Sequence, residues 1–87
     1  MNREEAIIQL SAIVKPYTQN TQALDNISED TNFIADLKIN SANLVDVVLD
    51  VEEQFDIVID NESMEKMLDV KSALTIIEQK LQEKLNG

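Results

Sequence analysis

No cysteine occurs in this chain of 87 residues, so neither a disulfide nor a thiolate-bound metal can hold its fold together. A chain of this length buries only about 60 to 65% of the surface that it exposes when unfolded. Its stability must therefore come from one compact core of aliphatic side chains. We expect a single domain over residues 1–87, because two cores could not be built from so few residues.

The spacing of apolar side chains predicts an all-α fold, a small four-helix bundle with a long first loop. Aliphatic residues recur at three- and four-residue intervals in three longer segments and a shorter one: 3–15, 40–55, 69–85 and 61–67. Pro16 ends or kinks the first helix because it cannot continue the backbone hydrogen bonds. The polar stretch 18–26 is predicted to be a loop. In the last helix the inward stripe is expected to comprise Val70, Ala73, Leu74, Ile77, Leu81 and Leu85.

The residue types that are absent exclude most catalytic chemistry. The chain has no histidine and no cysteine, so it holds no Ser-His or Cys-His pair, no imidazole or thiolate zinc site and no redox dithiol. We therefore predict that the protein is not an enzyme. The acidic stretch 56–60 does not match a calcium loop, because Val58 is no ligand and Asn61 stands where glycine is needed. No metal site is expected.

Negative charge is concentrated in the middle of the chain. Residues 28–69 contain twelve carboxylates and only two lysines, Lys38 and Lys66, and so account for the whole net charge of −10. This acidity disfavours nucleic acids and anionic membranes as ligands and favours partners with basic surfaces. No apolar window approaches the ~18 residues that span a bilayer, and acids interrupt the first ten residues where a signal peptide is apolar. We expect a cytoplasmic monomer.

The second predicted helix carries more apolar surface than a core needs. At 100° per residue, five side chains form an arc expected to face the core: Leu44, Val47, Val48, Val51 and Phe55. Ala42, Val45 and Leu49 form a second ridge outside that arc, beside Asp46 and Glu53. An apolar ridge edged by carboxylates is suited to a partner surface with an apolar floor and a basic rim. The alternative is that this helix is buried more deeply than the projection assumes.

Ser41 stands at the start of the same helix, and its position has two interpretations. Either Asn40 or Ser41 could cap the helix by accepting backbone N–H bonds, which is the commoner role of such residues. An anionic group attached to the Ser41 hydroxyl would instead meet free backbone N–H groups and the positive end of the helix dipole. The local pattern leaves both interpretations open.

The sequence around Ser41 resembles that of the acyl carrier proteins. In that family the modified serine follows an Asp-Leu-Gly-type lead-in and precedes a hydrophobic and acidic helix that ends in Glu-Glu-x-Phe. The corresponding stretch, residues 36–56, is DLKINSANLVDVVLDVEEQFD, and the segments 32–37 and 59–70 are also similar to the family's flanking segments. The resemblance covers most of the chain from about Ile27 onward.

The resemblance implies a carrier for fatty acid, polyketide or related acyl biosynthesis. In the family, a phosphopantetheinyl transferase attaches 4'-phosphopantetheine from coenzyme A to the serine, and the thiol of this arm carries acyl groups as thioesters. By position, Ser41 is the attachment site. The implied partners are the transferase and acyl-transferring or synthase enzymes with basic docking surfaces. Their implied contacts lie on the second predicted helix: Ala42, Val45, Asp46, Leu49, Glu52 and Glu53.

Three positions depart from the family's pattern. Asn40 and Ala42 flank Ser41 where the family usually has Asp and Leu, and Lys38 stands where it has Gly. Loss of the carboxylate before the serine weakens the case for a housekeeping transferase, and loss of the leucine trims the apolar contact at the helix start. These departures indicate a specialised carrier. Two alternatives remain open: an aminoacyl or peptidyl carrier of the same fold, and an unmodified acidic adaptor that binds a basic partner through the second predicted helix.

Overall fold

The chain folds into an all-α bundle, which confirms the fold class predicted from the apolar spacing. The structure, a computed structural model, describes residues 2–86. This part of the chain contains five α-helices: α1 (Arg3–Val14), α2 (Thr21–Asp25), α3 (Leu44–Phe55), α4 (Asn61–Lys66) and α5 (Val70–Asn86). A single turn of 3-10 helix, Ser41–Asn43, leads into α3.

Short polar side chains determine where two of the longer helices begin. Asn2 Oδ1 accepts the backbone N–H groups of Glu4 at 2.8 Å and Glu5 at 3.3 Å, and so caps α1. Asp69 caps α5, as predicted, because its Oδ1 lies 2.8 Å from the backbone nitrogen of Ser72. Hydrogen bonding to the backbone and side chain of Ser72 lowers the pKa of the Asp69 carboxyl.

The prediction that residues 18–26 form only a loop was wrong. Helix α2 lies within them, and the four-helix bundle therefore has a fifth, short helix. Asn20 Oδ1 caps it by accepting the backbone N–H of Ala23 at 3.1 Å. Leu24 is the buried residue of this helix, and one buried side chain in five residues gives no helical period that a sequence could display.

The core lies where α1 packs against both α3 and α5, and α4 covers a further part of α5. Aliphatic side chains from α1, α3, α5 and the loop before α3 fill it around one phenylalanine. The largest fully buried residues are Phe33, Leu10, Leu37, Ile39, Leu74, Ile77, Val14, Val47, Val51 and Val70.

The loop between α2 and α3 is tied to the start of α5. The backbone N–H of Val70 donates to the carbonyl of Thr31 at 2.9 Å, and the N–H of Phe33 donates to the carbonyl of Leu68 at 3.0 Å. Phe33 and Leu37 insert into the core from this loop. The segment that leads to Ser41 is therefore held in place by both backbone bonds and buried side chains.

Candidate functional site

Asn40, and not Ser41, caps the turn that opens the second predicted helix. Asn40 has extended backbone geometry, and its Oδ1 accepts the N–H of Ala42 at 2.9 Å while its carbonyl accepts the N–H of Asn43 at 2.8 Å. Ser41 is exposed, and within residues 2–86 no hydrogen bond involves its hydroxyl. The cap and the hydroxyl are thus separate, and the serine oxygen is accessible.

The backbone just before Ser41 is anchored from two sides. The N–H of Ile39 donates to the carbonyl of Phe33 at 3.1 Å, and the Ile39 side chain is buried. The carbonyl of Leu37 accepts hydrogen bonds from Thr18 Oγ1 at 2.5 Å and from the backbone N–H of Gln19 at 3.1 Å. Ser41 therefore projects from a fixed loop.

Lys38, within that loop, has a backbone conformation that glycine would adopt more readily. Its φ is 56°, in the left-handed region, where a residue with a Cβ is strained by about 1 to 3 kcal/mol. This conformation explains physically why glycine suits the position. Lysine occupies this position despite the cost in stability.

One face of α3 is buried and another is exposed. Val47, Val48 and Val51 lie in the core, whereas the side chains of Val45 and Leu49 are 48% and 55% exposed. Ala42, in the 3-10 turn, is exposed as well. The alternative of deeper burial is excluded, and the second apolar ridge is accessible to a partner. Leu44 and Phe55, expected in the core arc, are only partly buried and pack against its edge.

The carboxylates of α3 fall into two groups. Asp46 and Glu53 are exposed, and neither forms a salt bridge with any of the described residues. Glu52, by contrast, is half-buried, and its Oε2 accepts the backbone N–H of Ile59 at 2.7 Å. Of the three acids predicted to contact partners, Asp46 and Glu53 border the exposed ridge, while Glu52 braces the loop that follows α3.

A contact that the sequence did not reveal joins α3 to the turn that follows α1. The Tyr17 hydroxyl donates to Asp50 Oδ2 at 3.1 Å. This hydrogen bond to a carboxylate raises the pKa of the Tyr17 phenol, because the negative charge disfavours the phenolate. The two residues are 33 positions apart, and no local pattern signals their proximity.

Residues 2–86 contain neither a candidate metal site nor a candidate membrane span. No group of three or more acidic side chains is arranged to hold a metal ion. No helix is long and apolar enough to cross a membrane.

Comparison with known proteins identifies the family. No family model matches the chain. It is 41% identical over 56 residues to the acyl carrier protein of Picosynechococcus sp., which covers 64% of this chain and 69% of that protein. It is 30% identical over 80 residues to the acyl carrier protein of Thermotoga maritima, which covers 92% of this chain and 96% of that protein. The chain belongs to the acyl carrier protein family.

A solved structure agrees with this membership. The acyl carrier protein from Enterococcus faecalis superposes on the chain with a TM-score of 0.73 and 26% sequence identity, over 92% of this chain and 99% of that one. Members of the family are carriers and not catalysts, which is consistent with a chain that has neither histidine nor cysteine.

Family membership gives the residues around Ser41 a clearer interpretation. Asparagine and aspartate are similarly good helix caps. Asn40 therefore keeps the cap that an acyl carrier aspartate would provide and gives up only its charge. Ala42 is exposed, so alanine in place of the family's leucine reduces the apolar surface offered to a partner and leaves the core unchanged.

Proposed function

We propose that residues 1–87 are a single, discrete carrier domain that holds acyl intermediates as thioesters on a 4'-phosphopantetheine arm attached to Ser41. The observation that carries this proposal is the separation of cap and hydroxyl, because Asn40 satisfies the turn and leaves the exposed Ser41 oxygen accessible. The pathway is fatty acid, polyketide or related acyl biosynthesis.

The residues around Ser41 suit a phosphate-bearing group. No carboxylate occurs in residues 37–45, although the flanking sequence is strongly acidic. The serine opens the turn that leads into α3, where the positive end of the helix dipole favours an anion. When bound, the arm would supply the thiol that the cysteine-free chain lacks.

Attachment requires little of the carrier itself. Ser41 supplies the oxygen that forms the new phosphodiester with the pantetheine-bearing phosphorus of coenzyme A, as the bond from that phosphorus to adenosine 3',5'-bisphosphate breaks. The hydroxyl proton passes to a base of the transferase, because this chain has no histidine near the serine or anywhere else. The phosphopantetheinyl transferase is thus the first partner.

The exposed side of α3 is the surface proposed for partner docking. The ridge of Ala42, Val45 and Leu49 would meet an apolar floor, and Asp46 and Glu53 would pair with a basic rim on transferase, acyl-transferring and synthase enzymes. Helix α3 has no basic residue that would oppose such a rim. Glu52 would contribute by fixing the loop after α3.

The carrier function is favoured over an unmodified adaptor, because an adaptor would not need an exposed serine whose hydroxyl takes no part in capping the helix. The matched relatives are named acyl carrier proteins, which favours an acyl cargo over an aminoacyl or peptidyl one.

Intact mass spectrometry after incubation with coenzyme A and a broad-specificity phosphopantetheinyl transferase tests the proposal. We expect the native chain to gain the mass of one phosphopantetheine and Ser41→Ala to gain none. Ser28→Ala is a matched control, because Ser28 is also exposed and stands in no such motif; it should be modified like the native chain. Absence of modification with this transferase and with those of the source organism would favour the adaptor. Modification of Ser41→Ala would place the arm elsewhere.

A further inference from the structure

The cation nearest in sequence to the proposed attachment site is Lys38. The strained left-handed φ of 56° shows that folding stability does not favour a lysine there, since glycine would relieve the strain. Strained residues that persist are concentrated at functional sites. The other residue with positive φ, Asp56, has a local explanation, because it caps the C-terminus of α3.

The Lys38 ammonium is available for a new contact. Its side chain is exposed, and it takes part in none of the salt bridges formed within residues 2–86. The nearest acid before it, Asp36, is engaged, because its Oδ2 accepts the backbone N–H of Asn32 at 2.7 Å. The nearest acid after it is Asp46, on α3. Because Asn40 replaces the family's aspartate, no carboxylate beside Ser41 competes for the ammonium.

Lys38 is also close enough to act on a group attached to Ser41. Two residues, Ile39 and Asn40, lie between the two positions, so their Cα atoms lie within about 11 Å of each other. The intervening backbone is fixed by the buried side chains of Leu37 and Ile39 on either side of Lys38. A lysine carries its charge on a flexible four-carbon stem, which covers much of the remaining distance.

We propose that the Lys38 ammonium forms a charge-assisted hydrogen bond with the phosphodiester of the arm on Ser41. The inference rests on the proposed function, because it requires the arm. Lys38 would act as a positioning residue that holds the phosphodiester end of the arm against the loop 32–40. Its positive charge would also offset the repulsion between the phosphate and the acidic α3. A turn whose backbone would suit glycine would thus carry a cation directed at the phosphate.

Phosphorus NMR of the modified protein tests this contact directly. Lys38→Gln removes the charge but keeps a Cβ and an extended side chain, and Lys38→Arg restores the charge. Lys84→Gln is the control of equal charge change, because Lys84 pairs with Asp56, just beyond the far end of α3. The 12 residues of α3 place that end about 18 Å from its start. Intact mass first establishes that each sample carries the arm.

We expect Lys38→Gln to shift the ³¹P resonance of the phosphodiester, Lys38→Arg to restore it in large part, and Lys84→Gln to leave it unchanged. Raising the salt concentration from about 0.02 to about 0.5 M should move the native resonance toward that of Lys38→Gln, because salt screens the ion pair. An unchanged resonance in Lys38→Gln, or an equal shift in Lys84→Gln, would overturn the contact while leaving the carrier function intact. Failure of the mass gain itself would instead contradict the carrier function.

Discussion

The assignment of the cap to Asn40 makes a quantitative prediction about stability. Asn40→Ala removes the side-chain acceptor for the Ala42 N–H, which lies 2.9 Å from Oδ1. Loss of such a cap costs about 1 kcal/mol of the free energy of unfolding. For a domain of this size, that lowers the melting temperature by about 4 to 8 °C. Ser41→Ala removes no cap and should change the melting temperature by much less.

Asn40→Asp provides the matched substitution, because aspartate caps as well as asparagine does. Its negative charge gains about 0.3 to 1 kcal/mol from the helix dipole and loses part of that through repulsion in a chain of net charge −10. We therefore expect a melting temperature close to that of the native chain.

Thermal unfolding followed by circular dichroism at 222 nm, on protein shown by mass to lack the arm, measures all three variants. The predicted order places Asn40→Ala clearly below the other two. If Ser41→Ala proved the more damaging change and Asn40→Ala were neutral, Ser41 would be the cap in solution. The Ser41 hydroxyl would then be engaged in capping and would not be accessible for attachment.

Three further predictions concern the electrostatics of the bundle. Asp46→Lys and Glu53→Lys should each weaken transferase binding at low salt while helicity is retained, and unchanged affinity in calorimetry would remove these acids from the docking surface. The Tyr17 phenol, the single tyrosine in a chain without tryptophan, should titrate above its ordinary pKa by absorbance at 295 nm, and Asp50→Asn should bring the pKa back toward that value. Because the folded pKa is the raised one, the stabilisation from this contact is complete below the ordinary pKa and is lost as the pH rises through the folded value. Added salt should raise the melting temperature, because it screens the twelve carboxylates of residues 28–69, and a flat response would show that their repulsion is negligible.

Helical periodicity predicted the features that depend on local geometry. The separation of Val47 and Val51 from Val45 and Leu49 follows from the helical repeat alone, and the structure buries the first pair and exposes the second. The cap at Asp69 was likewise predictable, because the residue type and the start of the apolar stripe coincide.

Features that depend on tertiary placement were not predictable. The resemblance places Glu52 among the partner contacts, and nothing in the sequence shows that its carboxylate accepts the Ile59 N–H. Leu85 continues the inward stripe of α5 but is 82% exposed. Helix α5 has 17 residues and α1 has 12, or about 26 Å against about 18 Å, so α1 cannot cover the whole length of α5.

The backbone conformation beside Ser41 was likewise not predictable from the sequence. Asn40 and Ser41 are both good capping residues, and only the extended backbone at Asn40 decides between them. Apart from its correspondence to a glycine of the family, nothing at Lys38 predicted left-handed backbone geometry. The φ of Lys38 is imposed by the turn in which the Ile39 N–H donates to the Phe33 carbonyl.

The central claim is that Ser41 carries a phosphopantetheine arm in the living cell. The most direct measurement is the mass of the protein purified from its source organism, with fragmentation of the peptide that contains residues 36–56. We expect a population that bears one phosphopantetheine, with or without an acyl group, on Ser41. A chain that is unmodified under all growth conditions, or modified at another residue, would contradict it.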